Sequence, residues 1–227
     1  GGALTDNDVV NITVNAINDA PVLDASEANL WLSTEADMSG STATGLANWT
    51  DGEMLQFGAP DLSFGENTTS GTLSSTGFNL DTFSGGDADI DALHYVTQTV
   101  TVGSGANSLD LLAGDLVLSS QNDETLTSSN SLAVKQEDVF AFRPDTPGNY
   151  SSGTFIFLLE NPLSASTKGV SLVEQDTTVG VGGGSVTLQS GTFVITEGDK
   201  NLYHYTADTI GLTTTTGTIT TLIEGPD

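Results

Sequence analysis

Thr101-Val102-Gly103-Ser104-Gly105-Ala106-Asn107-Ser108 recurs as Thr178-Val179-Gly180-Val181-Gly182-Gly183-Gly184-Ser185. The two copies stay in register well beyond this stretch. Leu111 matches Leu188, Gly114 matches Gly191, and Leu116-Val117-Leu118-Ser119 matches Phe193-Val194-Ile195-Thr196. Short apolar runs separated by Gly, Asn and Ser read as strands joined by tight turns. A repeat of such runs predicts a β fold assembled from one strand-turn-strand unit used more than once. Leu30-Trp31-Leu32-Ser33 reads as a third copy of the last strand.

Working outward, a second element follows each copy: an acidic or amide residue, two apolar residues, a variable one, then an aromatic. It stands as Glu53-Met54-Leu55-Gln56-Phe57, Asp138-Val139-Phe140-Ala141-Phe142 and Asn201-Leu202-Tyr203-His204-Tyr205, with a further copy at Asp91-Ala92-Leu93-His94-Tyr95. Three of these lead to a Gly-Thr strand start, at Gly71-Thr72, Gly153-Thr154 and Gly217-Thr218. Units of this kind pair into a sandwich of sheets or stack as blades. Three copies are few for a closed propeller of typically four to eight blades, so a β-sandwich-like domain is expected, with a partial propeller-like arrangement as the alternative.

Composition narrows the function. Thirty acidic residues face four basic ones, Lys135, Lys168, Lys200 and Arg143, for a formal charge of −26. No basic surface exists to meet phosphates, which excludes nucleic acid as a partner. Such a charge repels itself in a compact state. Either the acids form a solvated surface, or oxygen-ligated cations, calcium above all, offset part of the charge and hold the loops. The chain has no cysteine, so disulfides, thiolate metal sites and thiol catalysis are absent. No apolar run approaches the roughly 20 residues that cross a bilayer, so membrane insertion is not expected. No nucleophile elbow, phosphate loop or His-Glu metal motif appears, and the chain reads as a binding module and not an enzyme.

The densest acidic constellation is Asp87-Ala88-Asp89-Ile90-Asp91. Extended, its carboxylates would stand on one side at roughly 7 Å intervals, too wide for one ion. A curl after Ser84-Gly85-Gly86 would bring them together and supply about half of calcium's six to eight oxygens. The plainer reading is a polar loop ahead of an inner strand. Other acids recur at matching points of the repeats: Asp37, Asp123 and Asp199 after one strand, and Asp51, Glu53, Glu137 and Asp138 before the next. Shared positions imply a shared task, either calcium bridging or capping of turn N–H groups. Arg143 either forks onto a ligand carboxylate or pairs with a neighbouring acid. His94 and His204 fill one slot in two copies, which argues for packing or hydrogen bonding over catalysis. Trp31 and Trp49 are read as core residues ahead of a sugar platform.

At the N-terminus Val10, Ile12 and Val14 alternate with Asn11, Thr13 and Asn15, and the strand ends in Ile17-Asn18-Asp19-Ala20-Pro21-Val22. This resembles the close of the cadherin-like or immunoglobulin-like tandem repeats of giant bacterial adhesins. The resemblance implies that residues 1–22 end a preceding repeat, that Asn18 and Asp19 join a calcium cluster at its junction, and that residues 23–227 form a ligand-binding β domain. Leu30-Trp31-Leu32-Ser33, Asp87-Ala88-Asp89-Ile90-Asp91-Ala92-Leu93-His94-Tyr95 and Phe142-Arg143-Pro144-Asp145 look like the ligand-binding region of giant RTX adhesins, more narrowly their calcium-dependent peptide-binding domain. That resemblance implies a monomeric module of a longer, secreted or surface-anchored chain, gripping a peptide or protein C-terminus on another cell. In this reading Asp87, Asp89 and Asp91 hold the ion, and Arg143 helps with the ligand. A calcium-stiffened spacer of the adhesin stalk and a lectin-like glycan binder are the alternatives.

Overall fold

The computed structural model describes residues 29–64, 69–180, 182–198 and 201–225. Residues 1–28, with Asn18 and Asp19, lie outside the described residues, as do Asp199 and Lys200. The chain begins with β1 (Asn29–Leu32), β2 (Glu53–Phe64), β3 (Thr69–Asn79), the single turn α1 (Asp81–Ser84) and β4 (Ile90–Tyr95). It continues through β5 (Val100–Val102), β6 (Leu109–Leu111), β7 (Leu116–Ser120), β8 (Glu124–Thr127), β9 (Ser131–Val134), β10 (Val139–Thr146) and β11 (Asn149–Leu159). The last part holds β12 (Gly169–Leu172), β13 (Thr177–Val179), β14 (Val186–Leu188), β15 (Phe193–Thr196), β16 (Leu202–Thr209) and β17 (Thr216–Ile223).

The fold is all-β and sandwich-like. Three antiparallel sheets carry it, in the orders β1-β2-β3, β11-β10-β7-β4 and β12-β15-β16-β17, with β5-β6, β8-β9 and β13-β14 as separate hairpins. The sequence repeat is the structural repeat. Leu32 pairs with Leu55, Leu118 with Phe140, and Ile195 with Tyr203; Leu30 pairs with Phe57, Leu116 with Phe142, and Phe193 with Tyr205. Each sheet is therefore the same unit in the same register.

The middle sheet is buried on both faces, which is why β10 is apolar without a break. Phe140 and Phe142 point into a core shared with Met54, Phe78 and Trp31 of the first sheet. Val139 and Ala141, one residue out of phase, point into a core shared with Phe193, Ile195 and Tyr205 of the third. Alternation along a strand thus sends large rings one way and small side chains the other. The Gly-Thr starts have a packing cause. A Cβ on Gly71 would stand 2.6 Å from the Phe57 ring, on Gly153 2.5 Å from the Phe142 ring, and on Gly217 2.7 Å from the Tyr205 ring. In every unit the aromatic lies over its cross-strand glycine.

The two seams between sheets are built alike. At the first, Ile90 N–H donates to the Asp51 carbonyl (3.5 Å) and Ser33 Oγ donates to the Ile90 carbonyl (3.1 Å). At the second, Thr167 N–H donates to the Gln136 carbonyl (3.1 Å) and Ser119 Oγ donates to the Thr167 carbonyl (2.7 Å). Ile90 and Thr167 are therefore equivalent, as are Asp51 and Gln136.

Candidate metal centre

Three carboxylates meet at the first seam. One oxygen from each of Asp51, Asp87 and Asp89 lies within 4.8 Å of the others. Asp51 ends the loop that leads into β2 of the first sheet, while Asp87 and Asp89 precede β4 of the second. The curl that joins them is local. Helix α1 stops at Gly85, whose φ of 77° is the left-handed conformation glycine adopts without penalty. The Asp81 carboxylate then accepts a hydrogen bond from Ala88 N–H (2.8 Å), which folds the segment back on itself.

More oxygens converge on the same spot. At Gly52 a Cβ would stand 2.8 Å from the Asp81 carboxyl carbon and 2.9 Å from both the Ala88 carbonyl and Asn79 Oδ1, so only glycine fits there. Asp51 Oδ1 and Asp89 Oδ1 are shut off from solvent without a hydrogen-bond partner. Burying such atoms unpaired costs about 1–3 kcal/mol each, more when charged. Burial, together with the carboxylates of Asp51, Asp87 and Asp81, pushes Asp89 up to about 6. Burial beside Asp123, Asp81 and Asp87 likewise raises Glu124. A hard cation would neutralise the Asp51, Asp87 and Asp89 carboxylates together, and three such oxygen donors would supply about half of a calcium shell.

The other expected metal ligands among the described residues separate from this centre. Asp91 does not join Asp87 and Asp89. A β-bulge between Ile90 and Ala92 breaks the alternation, and Asp91 forms an ion pair with Lys168 at 2.6 Å. In the first two units the acids at matching places cap turns instead. Asp37 Oδ1 accepts from Asp51 N–H (3.2 Å) and Asp123 Oδ1 from Gln136 N–H (3.2 Å). Glu53 accepts from Thr50 N–H (3.1 Å), and Asp138 from Lys135 N–H (2.9 Å) and Asn161 N–H (3.0 Å). Glu137 lies 3.9 Å from Lys135 Nζ, a loose surface pair.

Arg143 is committed to structure. Its Nη2 stands 2.6 Å from Asp115 Oδ2, a side chain only 2% exposed, and also donates to the Asp110 carbonyl. His204 Nε2 meets Thr192 Oγ1 at 2.8 Å, and Trp49 Nε1 donates to Thr34 Oγ1. Trp31 stacks on Tyr95 across the first seam, with centroids 4.3 Å apart. At the second seam His94 Nε2 lies 3.0 Å from Glu174 Oε1, while Thr97 N–H (2.7 Å), Thr97 Oγ1 and Gln98 N–H (3.0 Å) donate to the same carboxylate. Burial alone would raise Glu174, but the bonds from Thr97 and His94 outweigh it and hold the carboxyl below its ordinary range. Burial depresses His94 in turn. This clamp was not read from the sequence, because its two halves are far apart in the chain.

Two concave surfaces lie beside the seams. One, of about 410 Å³, is walled by His94, Thr97 and Glu174; the other, of about 570 Å³, by Ser33, Glu35, Asp91 and Lys168. Among the described residues no helix is long and apolar enough to cross a membrane. Comparisons with protein families, curated proteins and solved structures found no match to this chain.

Proposed function

We propose that the chain is a calcium-dependent structural module of an extracellular adhesin, in which a bound ion locks successive β units into a stiff stack. One observation carries this reading: Asp51 from the first sheet meets Asp87 and Asp89 from the approach to the second, with two carboxylate oxygens buried and unpaired. An ion held there ties two sheets together, and without it the same carboxylates push them apart. The spacer reading is favoured over gripping of a peptide terminus. The Asp51–Asp87–Asp89 centre sits at a seam, while the one described arginine is taken up by Asp115. Secretion to the cell surface follows from the same logic, because millimolar extracellular calcium matches sites of 10⁻⁴ to 10⁻³ M affinity.

Calorimetric titration of chelator-treated protein with calcium tests this, with magnesium and potassium as comparisons. Saturable binding of calcium is expected, together with a rise in melting temperature that Asp51→Asn removes. Identical melting in chelator and in 5 mM calcium would overturn the proposal.

A further inference from the structure

The three units differ in how they treat the outer edge of their third strand. In the first, Leu73 pairs inward with Phe57, and its N–H is taken by the Thr44 carbonyl at 2.8 Å. In the second, Phe155 pairs inward with Phe142. Its N–H donates to Asn130 Oδ1 (2.9 Å), and its carbonyl accepts from Asn130 Nδ2 (2.9 Å). Gly153 is covered in the same way, its N–H by Ser128 Oγ and its carbonyl by Ser129 N–H. Both covers come from the connection between the first two strands of the unit, residues 33–52 and 121–138.

In the third unit the equivalent residue is Ile219, which pairs inward with Tyr205. The connection that would cover it has shrunk to residues 197–201, between β15 and β16. Among the described residues β17 is the last strand of its sheet, and no cap is made to Ile219. The consequence shows in exposure: Leu73 is 6% and Phe155 2% exposed, but Ile219 is 44%. Protein edges are commonly blunted by charge, proline or short length. β17 runs Thr-Gly-Thr-Ile-Thr-Thr-Leu-Ile, eight residues rich in β-branched side chains and without a charge or a proline. Leu212 ahead of it and Ile223 at its end, exposed by 53% and 60%, add apolar surface.

We propose that the free edge of β17 is a docking site for an extended, positively charged peptide strand of another protein. The backbone of that strand replaces the cap that Thr44 and Asn130 provide in the other units. Strand addition of this kind draws affinity from main-chain hydrogen bonds and specificity from alternate side chains. Positive charge follows from the setting, since the chain carries −26 and Asp208 and Glu224 flank β17. The same charge opposes pairing of β17 with a second copy. The site is independent of the calcium centre, so either proposal can fail without the other.

The test has two parts. Amide exchange on the free protein should show Ile219 exchanging at least about 100-fold faster than Leu73 and Phe155, as an uncovered edge requires. The labelled peptide KVTVKVTVK, acetylated and amidated, should then slow exchange at Ile219 and bind by fluorescence anisotropy, while EVTVEVTVE should not. Ile219→Pro keeps the strand but removes its outward donor, and should weaken binding at least about tenfold. Thr221→Pro is the second blocking variant, should the first fail to fold. The proposal is overturned if Ile219 is as protected as Phe155 in the free protein. Binding unchanged in a folded proline variant would overturn it too. So would sedimentation that shows β17 occupied by a second copy, through a concentration-dependent dimer lost in Ile219→Pro.

Discussion

Replacing Asp89 by asparagine should make the protein respond to calcium and to acid in opposite ways from the parent. Without metal, Asp89 sits near pH 6 in the folded chain against 3.8 when free. A raised acid pKa means that folding favours the protonated form. The group therefore opposes folding at neutral pH, and the opposition fades as pH falls through 6 toward 4. At about 1.36 kcal/mol per unit the shift corresponds to about 3 kcal/mol, and water at the open side of the cluster screens this to about 1–2. In chelator at pH 7.5, Asp89→Asn should thus melt about 3–6 °C above the parent, given roughly 2–4 °C per kcal/mol at this chain length. By pH 4.5 the gap should have narrowed, and it closes only below about pH 3.8. In calcium the order reverses. An ion at about 50 times its dissociation constant stabilises the parent by about 2 kcal/mol, and protons now compete with it. Scanning fluorimetry of both proteins from pH 4.5 to 8, in chelator and in 5 mM calcium, reads all four curves. Comparing variant with parent cancels the general repulsion of an acidic chain. Curves that stay parallel, with no crossing between the two conditions, would refute the reasoning.

Three further outcomes are expected. Arg143→Ala strands the buried Asp115 carboxylate and should cost about 3–5 kcal/mol in urea unfolding, with Arg143→Lys recovering part of it. Gly153→Ala drives a methyl group to 2.3 Å from the Arg143 carbonyl as well as against the Phe142 ring, whereas the three atoms nearest a methyl on Gly71 all belong to the Phe57 ring. The first should therefore cost about 2–3 kcal/mol and the second clearly less, by the same assay. Glu174→Gln should destabilise by about 1–2 kcal/mol at pH 7. Since the Glu174 carboxyl is held low, its contribution is present above about pH 4.5 and lost as pH falls through its folded value, so the two proteins should converge once pH is below that value.

The repeat was legible because its causes are local and periodic. Apolar residues at period two, and glycines under rings, must recur wherever the unit recurs, so aligning Leu116 with Phe193 and Phe140 with Tyr203 yields the strand register of all three sheets. The carboxylate cluster was only half legible. Asp87 and Asp89 stood out by density, but Asp91 shared that density and was turned away by a bulge no spacing reveals. Asp51 stands among the acids that recur near the start of these strands, but recurrence is the sign of a different task. Asp37 with Asp123, and Glu53 with Asp138, recur because the first two units have the same turn N–H groups to cap. The Glu174 clamp was invisible, as it depends on a contact between distant units. The short 197–201 connection stands in the sequence, but that it leaves the edge of β17 uncovered among the described residues does not.

The second seam acts as a built-in control for the first. Through β-pairing of Leu93 with Leu118 and Val170 with Ile195, the positions of Asp87, Asp89 and Asp91 fall on Ser164, Ser166 and Lys168, while Asp51 falls on Gln136. The seam bonds of Ile90 and Thr167 are the same, so the fold itself requires no carboxylate at these places. Asp91 and Lys168, equivalent to each other, even pair across the units. A carboxylate triad that one seam carries and its twin omits is an addition to the architecture. Copying the second seam onto the first, as Asp51→Gln with Asp87→Ser and Asp89→Ser, should therefore give a folded protein that melts above the chelated parent and is indifferent to calcium. A triple variant that unfolds in chelator while the parent does not would mean that the acids shape the seam directly, and the case for an ion between the sheets would fall with it.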